Sequence, residues 1–432
     1  NMSPNPLLQS VVLRTAELLQ NPPTASCTFL MTLLQAVCPV VSKTSPTVAT
    51  YLLGTIGQPI VSLLQEQLTP EWSAVRVVEL LRLAAQVVRY SQSSGDGPSC
   101  LVEFLSTMWP HLDQIGGVCA ADDTARHVAV AVLDELFALY EHSLVALPEV
   151  FCDMNKGLVQ NIASRCVAGF VDRRLASGIR CCRVIVETLC TTPTEEREEY
   201  ISQMLVHVIS LLTNSVTALE ASQSHGQVVE WEWACEPDAI EMLFMYFYQH
   251  FVSCPNLILR TCASTPEVKT VAHRINELAL VCLRVTRERD TVRRILQVLQ
   301  AMCVPPSASR AQIDREGHRH LLLLPCTQYM PEIILYIFQS LDGVLQSALW
   351  PTLTDTLYTL LLTCEDNGIK QAAQWTYDVV VSNSAILVKI PNPEREVVFQ
   401  ALLRFAHDRS SRRFKALLTD VGKVCSNELE CE

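Results

Sequence analysis

Apolar and polar residues recur along most of this chain with the period of an α-helix. Between Pro70 and Tyr90, Val77, Val78, Leu81, Ala84, Ala85 and Val88 share one face, and Arg76, Glu79, Arg82, Gln86 and Arg89 form the opposite stripe. The segment Asp122–His142 repeats the pattern with Val128, Val132, Leu136 and Leu139. So does Arg412–Cys425, with Phe414, Leu417, Leu418, Val421 and Val424. The same reading predicts helices over 6–20, 25–42, 47–67, 99–115, 148–170, 177–190 and 194–220, then over 237–253, 266–285, 288–303, 330–348, 351–364, 367–382 and 393–407. No segment shows the two-residue alternation of a half-buried strand.

The helix openings share one chemistry. Thr69-Pro70-Glu71, Thr265-Pro266-Glu267 and Thr192-Pro193-Thr194-Glu195 each offer a hydroxyl as N-cap, a proline for the first helical position and an acid for the first turn. In the last of these, Thr192 and Glu195 stand at capping-box spacing. Helices of about 12–20 residues joined by short turns give hairpins of about 40 residues, the HEAT/armadillo period. The expected architecture is therefore all-α: one continuous superhelical HEAT-repeat solenoid of antiparallel helix pairs over residues 1–432, with about ten repeats. Irregular chain is expected at 91–98, 222–236 and 305–320.

Composition narrows the function. The chain is 49% hydrophobic and only 18% charged. No run reaches the roughly 18 consecutive apolar residues of a membrane span, and no basic-then-apolar leader opens it. The apolar residues are thus assigned to buried helix faces, and no membrane association is expected. A net charge of −12 argues against direct nucleic-acid binding and favours basic partners. The 18 cysteines form no Cys-x-x-Cys pair. Cys38, Cys166, Cys282, Cys303 and Cys364 sit in apolar helical runs, where a reduced thiol behaves as a small hydrophobe. This fits a reducing compartment, cytosol or nucleus.

Catalytic constellations are missing. The chain has no Gly-rich phosphate loop, no Gly-x-Ser-x-Gly elbow and no His-Glu-x-x-His helix. It is not expected to be an enzyme, or to hold a cofactor or metal. Gly95-Asp96-Gly97 reads as a turn, and His318 with His320 as a solvated loop. Cys181 and Cys182 read as core thiols despite the flanking Arg180 and Arg183. Arg287, Arg289, Arg293 and Arg294 interleave with Glu288 and Asp290 as a solvated face. Arg404, Arg409, Arg412, Arg413 and Lys415 cap helix ends. The turn holding Trp231, Glu232 and Trp233 has two readings: its indoles are buried anchors, or they form an exposed partner patch.

Four stretches, in order, resemble one family. Trp109-Pro110-His111-Leu112 leads through Asp122-Asp123 into a helix. Pro237-Asp238-Ala239-Ile240-Glu241-Met242-Leu243-Phe244 opens an aromatic-rich helix that ends before Pro255. Arg287-Glu288-Arg289-Asp290 opens the helix to Cys303, and Phe399 to Cys425 forms a Phe-containing helix, an Arg-rich turn and a short final helix. This order resembles the karyopherin-β (importin-β superfamily) nuclear transport receptors, in their transportin-SR and importin thirteen branch, over roughly residues 100–432. The resemblance implies the C-terminal half of a longer receptor, shuttling between cytoplasm and nucleus. It further implies protein cargo on the concave face, control by the Ran GTPase through a region absent from this chain, and contact with nuclear pore proteins. In transportin-SR the helix after the Trp-Pro turn carries several arginines for Arg/Ser-rich cargo. Here the matching helix, Asp122–His142, has Arg126 as its one arginine, followed by His127, Asp134, Glu135 and Glu141. The implied cargo is accordingly basic, received by these five residues, with the Trp231–Trp233 turn as a second candidate contact. A HEAT scaffold or regulatory subunit of a multiprotein complex is the alternative.

Overall fold

Where the 3.6-residue stripes run, the computed structural model has helices. It describes residues 5–20, 26–68, 72–91, 99–121, 126–224, 232–264 and 270–426. Helix makes up 85% of the structure, and no strand occurs among the described residues. The chain divides into two compact units, Asn1–Arg197 and Glu198–Glu432.

The first unit contains α1 (Pro6–Gln20), α2 (Cys27–Val41), α3 (Pro46–Gln67), α4 (Ala74–Tyr90), α5 (Ser99–Ala121), α6 (Arg126–Ala146), the single turn α7 (Pro148–Phe151), α8 (Leu158–Arg173) and α9 (Ala176–Thr191). They form antiparallel pairs α1/α2, α3/α4, α5/α6 and α8/α9. First helices stack on first helices, α1 on α3 and α3 on α5; second helices form the other layer in the order α2, α4, α6, α9. Amphipathicity sets this arrangement, because an inner helix must bury one stripe against its own partner and others against both neighbours. Accordingly α3 buries ten residues and α4 nine, while α1 at the outer edge buries four. Among the described residues, α3 is the one unbroken helix long and apolar enough to span a membrane by length and composition, and half of its apolar window is buried.

Small residues let the layers close up. A Cβ on Gly57 would lie 2.5 Å from the Phe104 ring, and one on Gly169 would lie 2.6 Å from Phe137. One on Gly178 would meet the Cys166 carbonyl oxygen at 2.4 Å. The predicted helix over 148–170 is instead broken. Asp153 caps a short 3₁₀ turn, Met154–Lys156, by accepting from the Asn155 amide, and Gly157 takes the left-handed conformation (φ 65°) before α8 starts.

Helix α10 (Glu195–Ser224) holds the division between the units. Its N-cap is not Thr192. Thr194 Oγ1 accepts from the Arg197 amide at 3.3 Å, and Thr192 is engaged by the Arg197 guanidinium instead. The capping-box reading misplaced the start by two residues. Thr69-Pro70-Glu71 and Thr265-Pro266-Glu267 lie outside the described residues, as does Gly95-Asp96-Gly97.

In the second unit, α11 (Pro237–Ser253), α14 (Arg289–Cys303), α18 (Trp350–Asp366) and α21 (Ser411–Ser426) make one layer in that order. The opposing layer runs from α12 (Pro255–Ser264) and α13 (Val271–Val285), through the turns α15 (Arg315–His318) and α16 (Leu324–Thr327) to α17 (Met330–Gln339). It ends with α19 (Gln371–Tyr377) and α20 (Asn392–His407). Helix α12 was not expected: its buried stripe Leu257, Ile258 and Thr261 is too short for periodicity to single out. His318 does not sit in a solvated loop. It ends α15, buried at 4% exposure, with Nε2 3.2 Å from the Ala301 carbonyl oxygen, and burial lowers its pKa.

Candidate interaction surface

The second-helix layer of the first unit carries most of the residues expected to meet a partner. Arg126 and His127 stand in the first turn of α6, with their side chains outside the described residues. Further along α6, Asp134 is exposed while Glu135 and Glu141 are half-buried. These acids do not form a bare acidic stripe. Arg82 Nε of α4 donates to Glu135 Oε1 at 2.7 Å, and Arg180 Nε of α9 donates to Glu141 Oε2 at 2.8 Å. Ser177 Oγ of α9 donates to the Asp134 carboxylate. Gln35 Nε2 of α2 extends the series by donating to Gln86 Oε1 of α4 at 3.2 Å. Successive second helices are thus bridged by polar side chains, from exposed Arg82 to buried Gln86 and Ser177.

Two chemical properties follow. Each glutamate is held at a fixed position by a cation from a flanking helix, so the surface presents alternating charge. Such half-exposed pairs are worth about 0–1 kcal/mol each, so an incoming base of better geometry can displace the resident arginine. Among the described residues, Arg89 lies apart from these pairs and stacks over the Tyr90 ring with its guanidinium carbon 5.4 Å from the centroid. His142, beside it, has its pKa lowered by burial, with Arg89 and Arg180 acting in the same direction.

Trp233 lies in the 3₁₀ turn Glu232–Cys235 ahead of α11 and is buried at 4% exposure. Its indole is an anchor for that turn, which leaves the partner-patch reading without its second ring; Trp231 and the Glu232 side chain lie outside the described residues. The cysteines named from sequence are all buried and unbridged. Burial pushes the Cys38 thiol up to about 11 and the Cys364 thiol up to about 12. A hydrogen bond from Cys166 is the largest single influence on Cys181 and lowers its pKa, but burial together with the nearby Cys182 and Glu141 leaves the thiol above its ordinary value. The neighbouring arginines do not activate it.

Sequence reasoning missed a cleft of about 360 Å³ in the second unit, between α10, α13 and the start of α17. Val216, Leu278 and Val281 supply apolar lining. An Arg284–Glu332 ion pair and a Tyr329 hydroxyl donating to Glu277 at 3.2 Å form its polar part. No local motif announces it, because its walls are drawn from three helices.

No protein-family model matches the sequence, nor does any curated protein. Among solved structures, importin 13 in its cytosolic state aligns over 98% of this chain with a TM-score of 0.67 at 13% identity. The fold is an all-α HEAT-repeat solenoid. The chain spans 44% of that structure's length. A circular tandem repeat protein with a novel repeat topology aligns over 98% of this chain and 96% of its own at 14% identity. Its TM-score of 0.47 adds nothing to the fold assignment.

Proposed function

We propose that this protein is a nucleocytoplasmic transport receptor that binds protein cargo on its second-helix layer under Ran control. The observation that carries the reading is the whole-chain likeness to importin 13, together with the order of the four sequence stretches. Cargo with a basic segment is the preferred class. Glu135 and Glu141 are preorganised carboxylates, and a lysine or arginine of the cargo exchanges with Arg82 or Arg180. Such exchange replaces one ion pair by another, returns the displaced arginine to solvent, and makes binding reversible, as a carrier requires. Ran and nuclear pore proteins are further partners, with the main Ran contact on sequence outside this chain, and the protein shuttles between cytoplasm and nucleus. Release then follows from differential binding, in which Ran-GTP and cargo favour different helix-stack geometries.

The test is a pull-down and calorimetric titration of the full natural polypeptide with Ran-GTP and Ran-GDP, followed by import or export assays in permeabilised cells. Nucleotide-dependent Ran binding supports the reading. Indifference to Ran in both states turns it to the alternative, a HEAT scaffold of a multiprotein complex.

A further inference from the structure

The core of the second unit holds a group of sulfur atoms. Cys303 Sγ and Cys326 Sγ lie 3.7 Å apart, at 3% and 0% exposure. Near them, Cys364 Sγ donates to Met330 Sδ at 3.3 Å, and both are buried. Among the described residues, no third His, Cys, Asp or Glu joins Cys303 and Cys326 in a metal-holding geometry. Each of the two thiols stands where its backbone has slack. Val304-Pro305-Pro306 ends α14, because a residue ahead of proline is pushed out of the helical region, and Val304 is extended at φ −133° and ψ 122°. Cys303 is the last helical residue before that break. Cys326 belongs to the single turn α16, which packs against α13 and α14. A π-helical turn, Arg319–Leu323, precedes α16, and a turn through Gln328 and Tyr329 follows it. Pro325, inside α16, brings no amide hydrogen. A segment so interrupted opens locally more readily than an unbroken helix.

We propose that Cys303 and Cys326 are a covalent modification site, which forms a reversible disulfide with a hydroperoxide as the oxidant. Local opening of residues 319–329 brings Cys326 to solvent. Its thiolate attacks one peroxide oxygen, the O–O bond breaks, water leaves, and Cys326 becomes a sulfenic acid. The Cys303 thiolate then attacks that sulfur, the S–S bond forms, and the sulfenic oxygen departs with two protons as water. Two thiols together lose two electrons and two protons, and the peroxide is reduced to two waters. While the segment is closed, the hydrogen bond to Cys326 and burial hold the Cys303 thiol well above its ordinary pKa, so the reaction waits on opening.

The bond has a consequence for the cleft. Closing the sulfur separation from 3.7 Å to about 2.0 Å draws α16 and the end of α14 together. The Tyr329 amide donates to the Cys326 carbonyl oxygen at 3.0 Å, and the Tyr329 hydroxyl donates to Glu277 in the cleft wall. Oxidation at Cys326 therefore shifts the Tyr329 side of the cleft. The first unit supplies an internal comparison. Cys166 is hydrogen-bonded to Cys181 and Cys182, but all three lie inside α8 and α9, which meet at backbone contact beside Gly178. Those thiols have no slack to close. The inference depends on neither cargo nor Ran.

The test gives the natural polypeptide hydrogen peroxide in stoichiometric steps, then blocks free thiols with N-ethylmaleimide in denaturant and locates disulfides by non-reducing peptide mapping. A Cys303–Cys326 link should accumulate ahead of any Cys166–Cys181 or Cys166–Cys182 link, and dithiothreitol should remove it. In the linked protein, amide exchange across 326–332 should slow at least about tenfold, as expected of a cross-link spanning 23 positions. Cys303→Ala and Cys326→Ala should each abolish the link and the slowing, with helicity of the reduced protein unchanged. Mapping of the unsubstituted protein decides the matter even where a variant fails to fold. Both thiols remaining free while exposed Cys235 is oxidised overturns the proposal. So does a link that forms only after unfolding in urea, or one that follows linkage of the first-unit thiols. Unchanged exchange across 326–332 in the linked protein overturns its reach to the cleft.

Discussion

Replacing Gly178 by alanine tests how closely α8 and α9 are packed. The new Cβ would stand 2.4 Å from the Cys166 carbonyl oxygen and 3.3 Å from its carbonyl carbon. These are backbone atoms inside α8, so relief requires the helices to separate by a few tenths of an ångström or more. Overpacking of this kind costs about 1–3 kcal/mol. The alanine recovers at most about 1 kcal/mol in helix propensity, and less here because Gly178 lies in the first turn of α9. A net destabilisation of about 1–2 kcal/mol follows, which lowers the melting midpoint by roughly 2–8 °C for a unit of this size. The control is Gly54→Ala on α3, where a Cβ meets nothing within 4 Å and propensity alone should stabilise by about 0.5–1 kcal/mol. Far-UV circular dichroism in a urea series measures both. Equal effects of the two substitutions, or a stabilising Gly178→Ala, would refute the argument that α8 and α9 meet at backbone contact.

Three further outcomes are expected. Asp134→Arg with Glu135→Arg should weaken a basic cargo by a few kcal/mol in a calorimetric titration if those carboxylates are desolvated in the complex; a change within about 1 kcal/mol would mean they face bulk solvent. Arg395 is buried and donates to the carbonyl oxygens of Ile390, Asn383 and Leu387 at 2.7–3.0 Å. Arg395→Met should therefore cost about 3–5 kcal/mol in urea unfolding, with Lys restoring part of it; a loss near zero would contradict the clamp. Burial lowers the His250 pKa to about 4, below the ordinary value of 6.5. The unfolded chain then binds the proton more readily, so stability should fall by up to about 1.4 kcal/mol per pH unit as pH drops from about 6.5 towards 4. His250→Leu should flatten that slope in midpoints measured across the range, beside a smaller contribution from His318, whose pKa is also lowered by burial.

The helices were legible because burial on one face writes its period into the sequence. Helix 237–253 was read to the residue from Pro237 at its start and Pro255 beyond its end. What stayed hidden has a common cause in distance or brevity. Helix α12 is ten residues long, and the break at 152–157 depends on one left-handed glycine. The acids of α6 were visible, but Arg82 and Arg180 lie 53 and 39 positions from Glu135 and Glu141. Only the stacking of α4, α6 and α9 makes them partners and turns an expected acidic stripe into one of alternating charge. Trp231-Glu232-Trp233 shows the same limit, since composition could not say which way its indoles turn, and the fold buries Trp233.

The transport reading is tested most directly by the effect of Ran on cargo binding to the full natural polypeptide. A basic cargo segment is titrated by calorimetry in the presence of Ran-GTP, of Ran-GDP and of neither. The account predicts that Ran-GTP shifts the cargo affinity at least about tenfold, within the usual range of allosteric coupling. Ran-GDP should leave it unchanged, and the 432-residue chain alone should bind Ran-GTP weakly or not at all. Cargo affinity identical under all three conditions, with the protein folded, would contradict it.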